Sequence, residues 1–118
     1  MWRMMPFEQL DAWRSSHRLA LAVYELTEAW PVSERYGLTA QVRRAALSVP
    51  ANIAEGVAKR GTRELRRYLD ISLGSFSELS YLLLFARDRG LPASGALESL
   101  RSQTGRQLWG LYRSISTR

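Results

Sequence analysis

The stretch Arg43–Gly56, RRAALSVPANIAEG, sets a helix-forming run against a proline at its centre and a glycine at its end. Alanine, leucine, arginine and glutamate favour a helix. Pro50 opposes one, because it removes a backbone donor and crowds the carbonyl four residues back, that of Ala46; uncompensated, this costs about 3 kcal/mol. Either a kinked helix runs through Pro50, or one helix stops near Ser48 and another starts near Pro50. Ala51, Ile53 and Glu55 follow at once, so a continuous kinked helix is expected. Ser48 or Asn52, or a water that they hold, would meet the freed backbone groups.

Proline and glycine divide the chain into four pieces, at Trp30-Pro31, Arg60-Gly61-Thr62 and Gly90-Leu91-Pro92. Each piece has helical periodicity, none has the alternation of a strand, and no repeat or low-complexity tract occurs. Helices are expected at about 7–29, 33–60, 62–89 and 94–115. In the first, Leu10, Trp13, His17, Ala20, Tyr24 and Thr27 form an apolar row at steps of three and four. Ala12, Ser16, Leu19, Val23, Leu26 and Trp30 flank it, and Asp11, Arg14, Ser15, Arg18, Ala22 and Glu25 fall on the wet side. Ser33 and Thr62 are the expected N-caps of the second and third helices. The fourth turns Leu97, Leu100, Thr104, Leu108, Leu111 and Ile115 inward. It is weakened by glycines at about 1 kcal/mol each relative to alanine. The whole is one all-α domain over 1–118, an antiparallel up-down-up-down four-helix bundle.

The second and third helices carry more apolar surface than one core needs. Opposite the core stripe Leu38, Val42, Ala45, Ala46, Val49, Ile53 and Gly56 stand Ala40, Leu47, Ala51, Ala54 and Ala58. Opposite Leu65, Leu69, Ser72, Phe76, Leu79, Leu83 and Ala86 stand Ile71, Gly74, Tyr81, Leu82 and Phe85. A helix apolar on two faces is covered on both. A homo-oligomer with Leu47, Ala51, Ala54, Ala58, Ile71, Tyr81 and Phe85 at the subunit contact is therefore expected. The plainer reading is a wide core stripe with an alanine-rich back.

The 118 residues contain no cysteine, which removes disulfides and thiolate metal sites and fits a reducing compartment. The first residues, MWRMMPFEQL, lack the apolar run of a signal peptide, and no segment is read as a membrane span, so a cytoplasmic protein without a membrane partner is expected. The 17 basic and 11 acidic residues make a formal net charge of +6. That balance permits a polyanionic partner without requiring one.

Catalytic chemistry is poorly represented. Asn52 and Glu55 lie one turn apart and can be read as a ligand-binding pair or a base with its orienter. They can equally be read as a polar residue at the kink and an ion-pair partner. No second carboxylate converges on Glu55. Ser48, Pro50, Asn52, Glu55 and Gly56 are accordingly taken as a structural motif. The single histidine, His17, sits on the apolar row, and no Glu-x-x-His pattern accompanies it. Gly74-Ser75 falls inside a helix, where a nucleophile elbow cannot form, and reads as a close-packing site. Neither catalytic residues, metal nor cofactor is expected.

Lys59, Arg60, Arg63, Arg66 and Arg67 cluster at the turn between the second and third helices, offset only by Glu64, with Arg43 and Arg44 further back. Arginines so placed contact phosphates without reading sequence, because the planar guanidinium forks onto two oxygens. A solvated turn with local ion pairs is the competing reading. Tyr68 points toward the core on the periodicity, so no base-stacking platform is expected there.

These residues together resemble the 23S rRNA intervening-sequence protein family. The resemblance spans Phe7 to Gly90. It is carried by Phe7, Leu10, Trp13, Tyr24, Thr27, Pro31, Glu34, Tyr36-Gly37-Leu38, Gln41 and Arg43-Arg44-Ala45-Ala46. Ser48, Pro50, Asn52-Ile53-Ala54-Glu55-Gly56, Arg60, Glu64, Tyr68-Leu69, Gly74-Ser75 and Glu78-Leu79 complete it. Trp30 replaces the usual phenylalanine and Ser72 the usual alanine, without consequence for the architecture. The resemblance implies a cytosolic bacterial bundle assembled as a ring-like homopentamer, with no catalytic residues to carry over. Some relatives are encoded within rRNA intervening sequences. A related basic pentamer, the accessory variability determinant of diversity-generating retroelements, works with a reverse transcriptase and nucleic acid. The expected partners are thus further copies of the chain, with RNA or DNA, or another protein, as the external partner.

Overall fold

A computed structural model describes residues 4–117, leaving 1–3 and 118 outside the description. Among the described residues there are four α-helices and no strands: α1 Asp11–Thr27, α2 Leu38–Ala58, α3 Thr62–Asp88 and α4 Gly95–Ser116. Two short 3-10 turns, Pro6–Gln9 and Val32–Glu34, precede α1 and α2. The first two helices start later than their periodicity indicates. Leu10 is extended and separates the first turn from α1, and Ser33 lies inside the second turn rather than capping α2, which begins after Gly37. Thr62 is the first residue of α3, and Gly61, at φ 86°, takes the cap position in a conformation that other residues rarely adopt. Ser94 caps α4 by accepting a 3.1 Å hydrogen bond from the Leu97 amide.

Helix α2 runs unbroken through Pro50. Asn52 Nδ2 donates to the Ser48 carbonyl at 2.8 Å and to Ser48 Oγ at 3.0 Å, and the Ser48 and Ser75 hydroxyls meet at 2.7 Å. The Ser72 hydroxyl, fully buried on α3, donates to the Val49 carbonyl at 2.8 Å. The carbonyls served are those of Ser48 and Val49, not that of Ala46. An asparagine side chain reaches back a single turn, and Ala46 lies six residues before Asn52. The polar groups around the proline thereby tie α2 to α3.

Helix α1 packs against α2 and α4, and α3 packs against the same two, with α2 and α3 sharing the broadest contact. Leu19, Val23, Val42, Val49, Ile53, Leu69, Leu79, Leu108 and Ile115 form the sealed centre of this four-helix bundle. On α1 the flanking row is the more deeply buried, with Ala12, Ser16, Leu19, Val23 and Trp30 sealed, while the other apolar row is split, Ala20 and Thr27 being buried and His17 and Tyr24 exposed. Ser15, expected on the wet side, is buried and donates to Gln107 of α4. Neighbouring rows lie about 100° apart on a helix, so contacts on both flanks of α1 select the row between them. His17 instead stacks on Trp13, ring centres 4.8 Å apart and planes 9° from parallel.

At the end of α3, Gly90 turns at φ 83°, its amide bonds the Arg87 carbonyl and the Leu91 amide bonds that of Ala86, so a Schellman turn stops the helix. Trp30 Nε1 donates to the Pro92 carbonyl at 2.9 Å and pins the connection that follows. Leu82, expected on the outer side, is buried, and Gly74 is exposed with nothing within 4 Å of an added Cβ, so it is not a close-packing site within this chain. Contrary to the sequence reading, α3 is long and apolar enough to cross a membrane by length and composition alone. That apolarity is divided between its core stripe and its outer face.

Candidate nucleic-acid interface

Three residues, Lys59, Arg60 and Gly61, join α2 to α3. So tight a turn, made feasible by the positive φ of Gly61, brings the end of one basic run beside the start of the next. Lys59, Arg60 and Arg63 are exposed, and among the described residues none lies within ion-pair distance of a carboxylate. Arg66 is half-buried, and Arg67 pairs with Glu64 at 3.4 Å across one helical turn. Surface pairs of this kind leave the arginine largely available.

Tyr68 departs from its expected inward place. It is half-buried, with Lys59 Nζ 5.5 Å and the Arg67 guanidinium 4.7 Å from its ring centre. The reason is Gly56: a Cβ there would stand 2.8 Å from the Tyr68 Cβ, so the missing side chain draws the tyrosine stem against α2 and leaves its ring beneath the two cations.

Arg43 and Arg44 part company. Arg44 is exposed. Arg43 donates from Nε to Thr27 Oγ1 at 2.8 Å and from Nη2 to the Tyr24 carbonyl at 3.2 Å, and its guanidinium lies 4.5 Å from the Tyr24 ring centre. It closes the carbonyl end of α1 and is occupied within the bundle.

Asn52 is half-buried with its amide nitrogen engaged by Ser48, while Glu55 points into solvent. The two are not brought together on any common atom. Gly56 and Pro50 are buried, and Ser48 belongs to the α2–α3 seam.

The outer faces of α2 and α3 expose Leu47 (48%), Ile71 (42%), Tyr81 (61%) and Phe85 (43%), with Ala51 and Ala58 open and Ala54 half-covered. Tyr81 also borders a cavity of about 700 Å³ shared with Trp30, Leu84 and Leu97, walled on one side by Arg101. The Glu98 carboxyl beside it is held below the usual carboxylate range by its hydrogen bond from Arg101, 2.5 Å away.

The family model described as 23S rRNA-intervening sequence protein matches residues 8–109, which include both the basic turn and the proline motif. The chain belongs to this family. No curated protein matches it.

In this member of the 23S rRNA-intervening sequence family, a second basic surface lies outside the clusters legible as charge runs. Arg106, Trp109 and Arg113 share one face of α4, and Trp109 is 48% exposed. Their spacing of three and four residues is visible in the sequence. Glycines and serines around them mask it, because they read as a weak helix end.

Proposed function

We propose that the chain is a non-enzymatic, homo-oligomeric helical bundle that binds RNA or DNA through the arginine-rich α2–α3 turn. The observation that carries this reading is the exposure of Lys59, Arg60 and Arg63 at a three-residue turn without carboxylate partners among the described residues. Cations so held can neutralise phosphates while leaving the bases unread. Arg44, Arg66 and Arg67 extend the surface, whereas Arg43 serves the bundle.

The helices run up-down-up-down, consistent with the short turn between α2 and α3, and the subunits form a ring-like pentamer through the outer faces of α2 and α3. Five copies at +6 would carry +30, with the turn repeated around the ring. A cytoplasmic location suits a cysteine-free basic chain.

Titration of labelled single-stranded and duplex nucleic acid at several salt concentrations tests the proposal. Log affinity should fall against log salt with a slope of about −0.7 to −0.9 per phosphate neutralised. Absence of binding at low salt overturns it. The exposed Leu47, Ile71, Tyr81 and Phe85 favour a second reading, a scaffold whose partner is another protein and whose charge is incidental.

A further inference from the structure

From the geometry of α4 we infer a second nucleic-acid site, a groove that stacks an unpaired nucleobase on Trp109 and holds the adjoining phosphates with Arg106 and Arg113. It deepens the nucleic-acid reading and rests on it, but through residues separate from the α2–α3 turn.

The groove, of about 450 Å³, lies between α3 and α4. Its floor exists because residue 105 is glycine. A Cβ there would stand 2.9 Å from the tip of the Phe76 ring, so Phe76 fills the space and closes the bottom with an aromatic surface. Trp109 rises beside it, held edge-on by Tyr112 with ring centres 6.0 Å apart and planes at 84°. That contact restrains the indole, and 48% of the residue stays exposed.

The charge on the walls is uneven. Arg101 is tied to Glu98 and donates to Ser80 at 3.2 Å. Among the described residues Arg106 donates only to the Ser102 hydroxyl, at 2.9 Å, and neither Arg106 nor Arg113 lies within ion-pair distance of a carboxylate. A purely apolar partner would leave these two cations desolvated and unpaired, which is costly. An anionic ligand with a flat ring satisfies both features. A nucleotide in a single strand supplies them together, since its base is free to splay while its phosphates stay within reach of the flanking arginines. A duplex keeps its bases stacked on each other and gains only the phosphate contacts.

The test uses the full chain, with fluorescence anisotropy of a DNA single strand of about 16 nucleotides, the matching RNA strand and a duplex of the same length. Trp109→Ala should weaken single-strand binding, in the DNA or the RNA arm, by at least about fivefold and leave duplex binding unchanged. Trp109→Phe should keep most of the affinity, which separates stacking from a folding defect. Arg106→Gln with Arg113→Gln should lower the single-strand salt slope by about 0.7 for each phosphate that is no longer neutralised. If these variants bind as the parent does while changes at Lys59, Arg60 and Arg63 weaken binding, the groove is wrong and the turn stands. If Trp109→Ala lowers the mass in solution but not the affinity, the groove is a subunit contact and the inference falls. If the parent chain binds no nucleic acid at low salt, both readings fall.

Discussion

Gly56 of α2 and Tyr68 of α3 approach so closely that a side chain on residue 56 would begin 2.8 Å from the Tyr68 Cβ. Neither atom sits at the end of a flexible chain, so the two helices would have to separate. Gly56→Ala gains about 1 kcal/mol of helix propensity. It loses about 1–3 kcal/mol to overpacking. Net destabilisation is therefore expected in urea unfolding. Gly110→Ala, where an added Cβ meets nothing, should instead raise stability by up to about 1 kcal/mol.

Arg43 and the exposed turn cations should separate stability from binding. Arg43→Ala removes two hydrogen bonds and the contact with Tyr24, and about 1–2 kcal/mol of stability is expected to go with them. Its effect on nucleic-acid affinity should be small. Lys59→Gln with Arg60→Gln and Arg63→Gln should do the reverse, reducing affinity and its salt dependence while the unfolding midpoint stays in place. Equal loss of binding in both sets would return Arg43 to the interface.

The outer face of α2 offers a direct test of assembly. Ala51→Glu puts a charge on an exposed small residue beside Leu47 and should reduce the mass seen by light scattering without loss of helical content. A parent chain that is monomeric, or a variant that keeps the parent mass, would count against an assembly through this face.

Glu98 and Arg101 set a modest pH dependence. Arg101 lowers the folded-state pKa of Glu98 by its hydrogen bond, so the pair stabilises the fold above the ordinary carboxylate value of 4.5. That contribution is lost as pH falls through the lowered pKa. Because Glu98 is well exposed, Glu98→Gln should cost less than about 1 kcal/mol at neutral pH. Thermal melts of parent and variant should converge in acid. A gap that persists there would assign the effect to packing.

Periodicity alone was enough to read four helices, a continuous α2 through Pro50, and two helices with apolar residues front and back. These are properties of spacing along one helix, and spacing is written in the chain. It could not choose between the two adjacent apolar rows of α1, because both are amphipathic and only the flanking helices decide which faces inward. His17 and Tyr24 were turned out, and Ser15 in, by that packing. The same limit applied to the cations. Arg43 and Arg44 are neighbours in sequence, yet one is bound to the end of α1 and the other is free, since a step of one residue swings the side chain through about 100°.

The basic turn was legible because its charges fall close together in sequence and its glycine suits a tight reversal. Whether Tyr68 lies beneath Lys59 and Arg67, and whether Phe76 floors the groove beside Trp109, depends on two glycines that let aromatic side chains from α3 come close. The sequence determined the helices and where their charges lie. The tertiary structure decided which charges remain available, because only packing between helices shows which polar groups have already found partners.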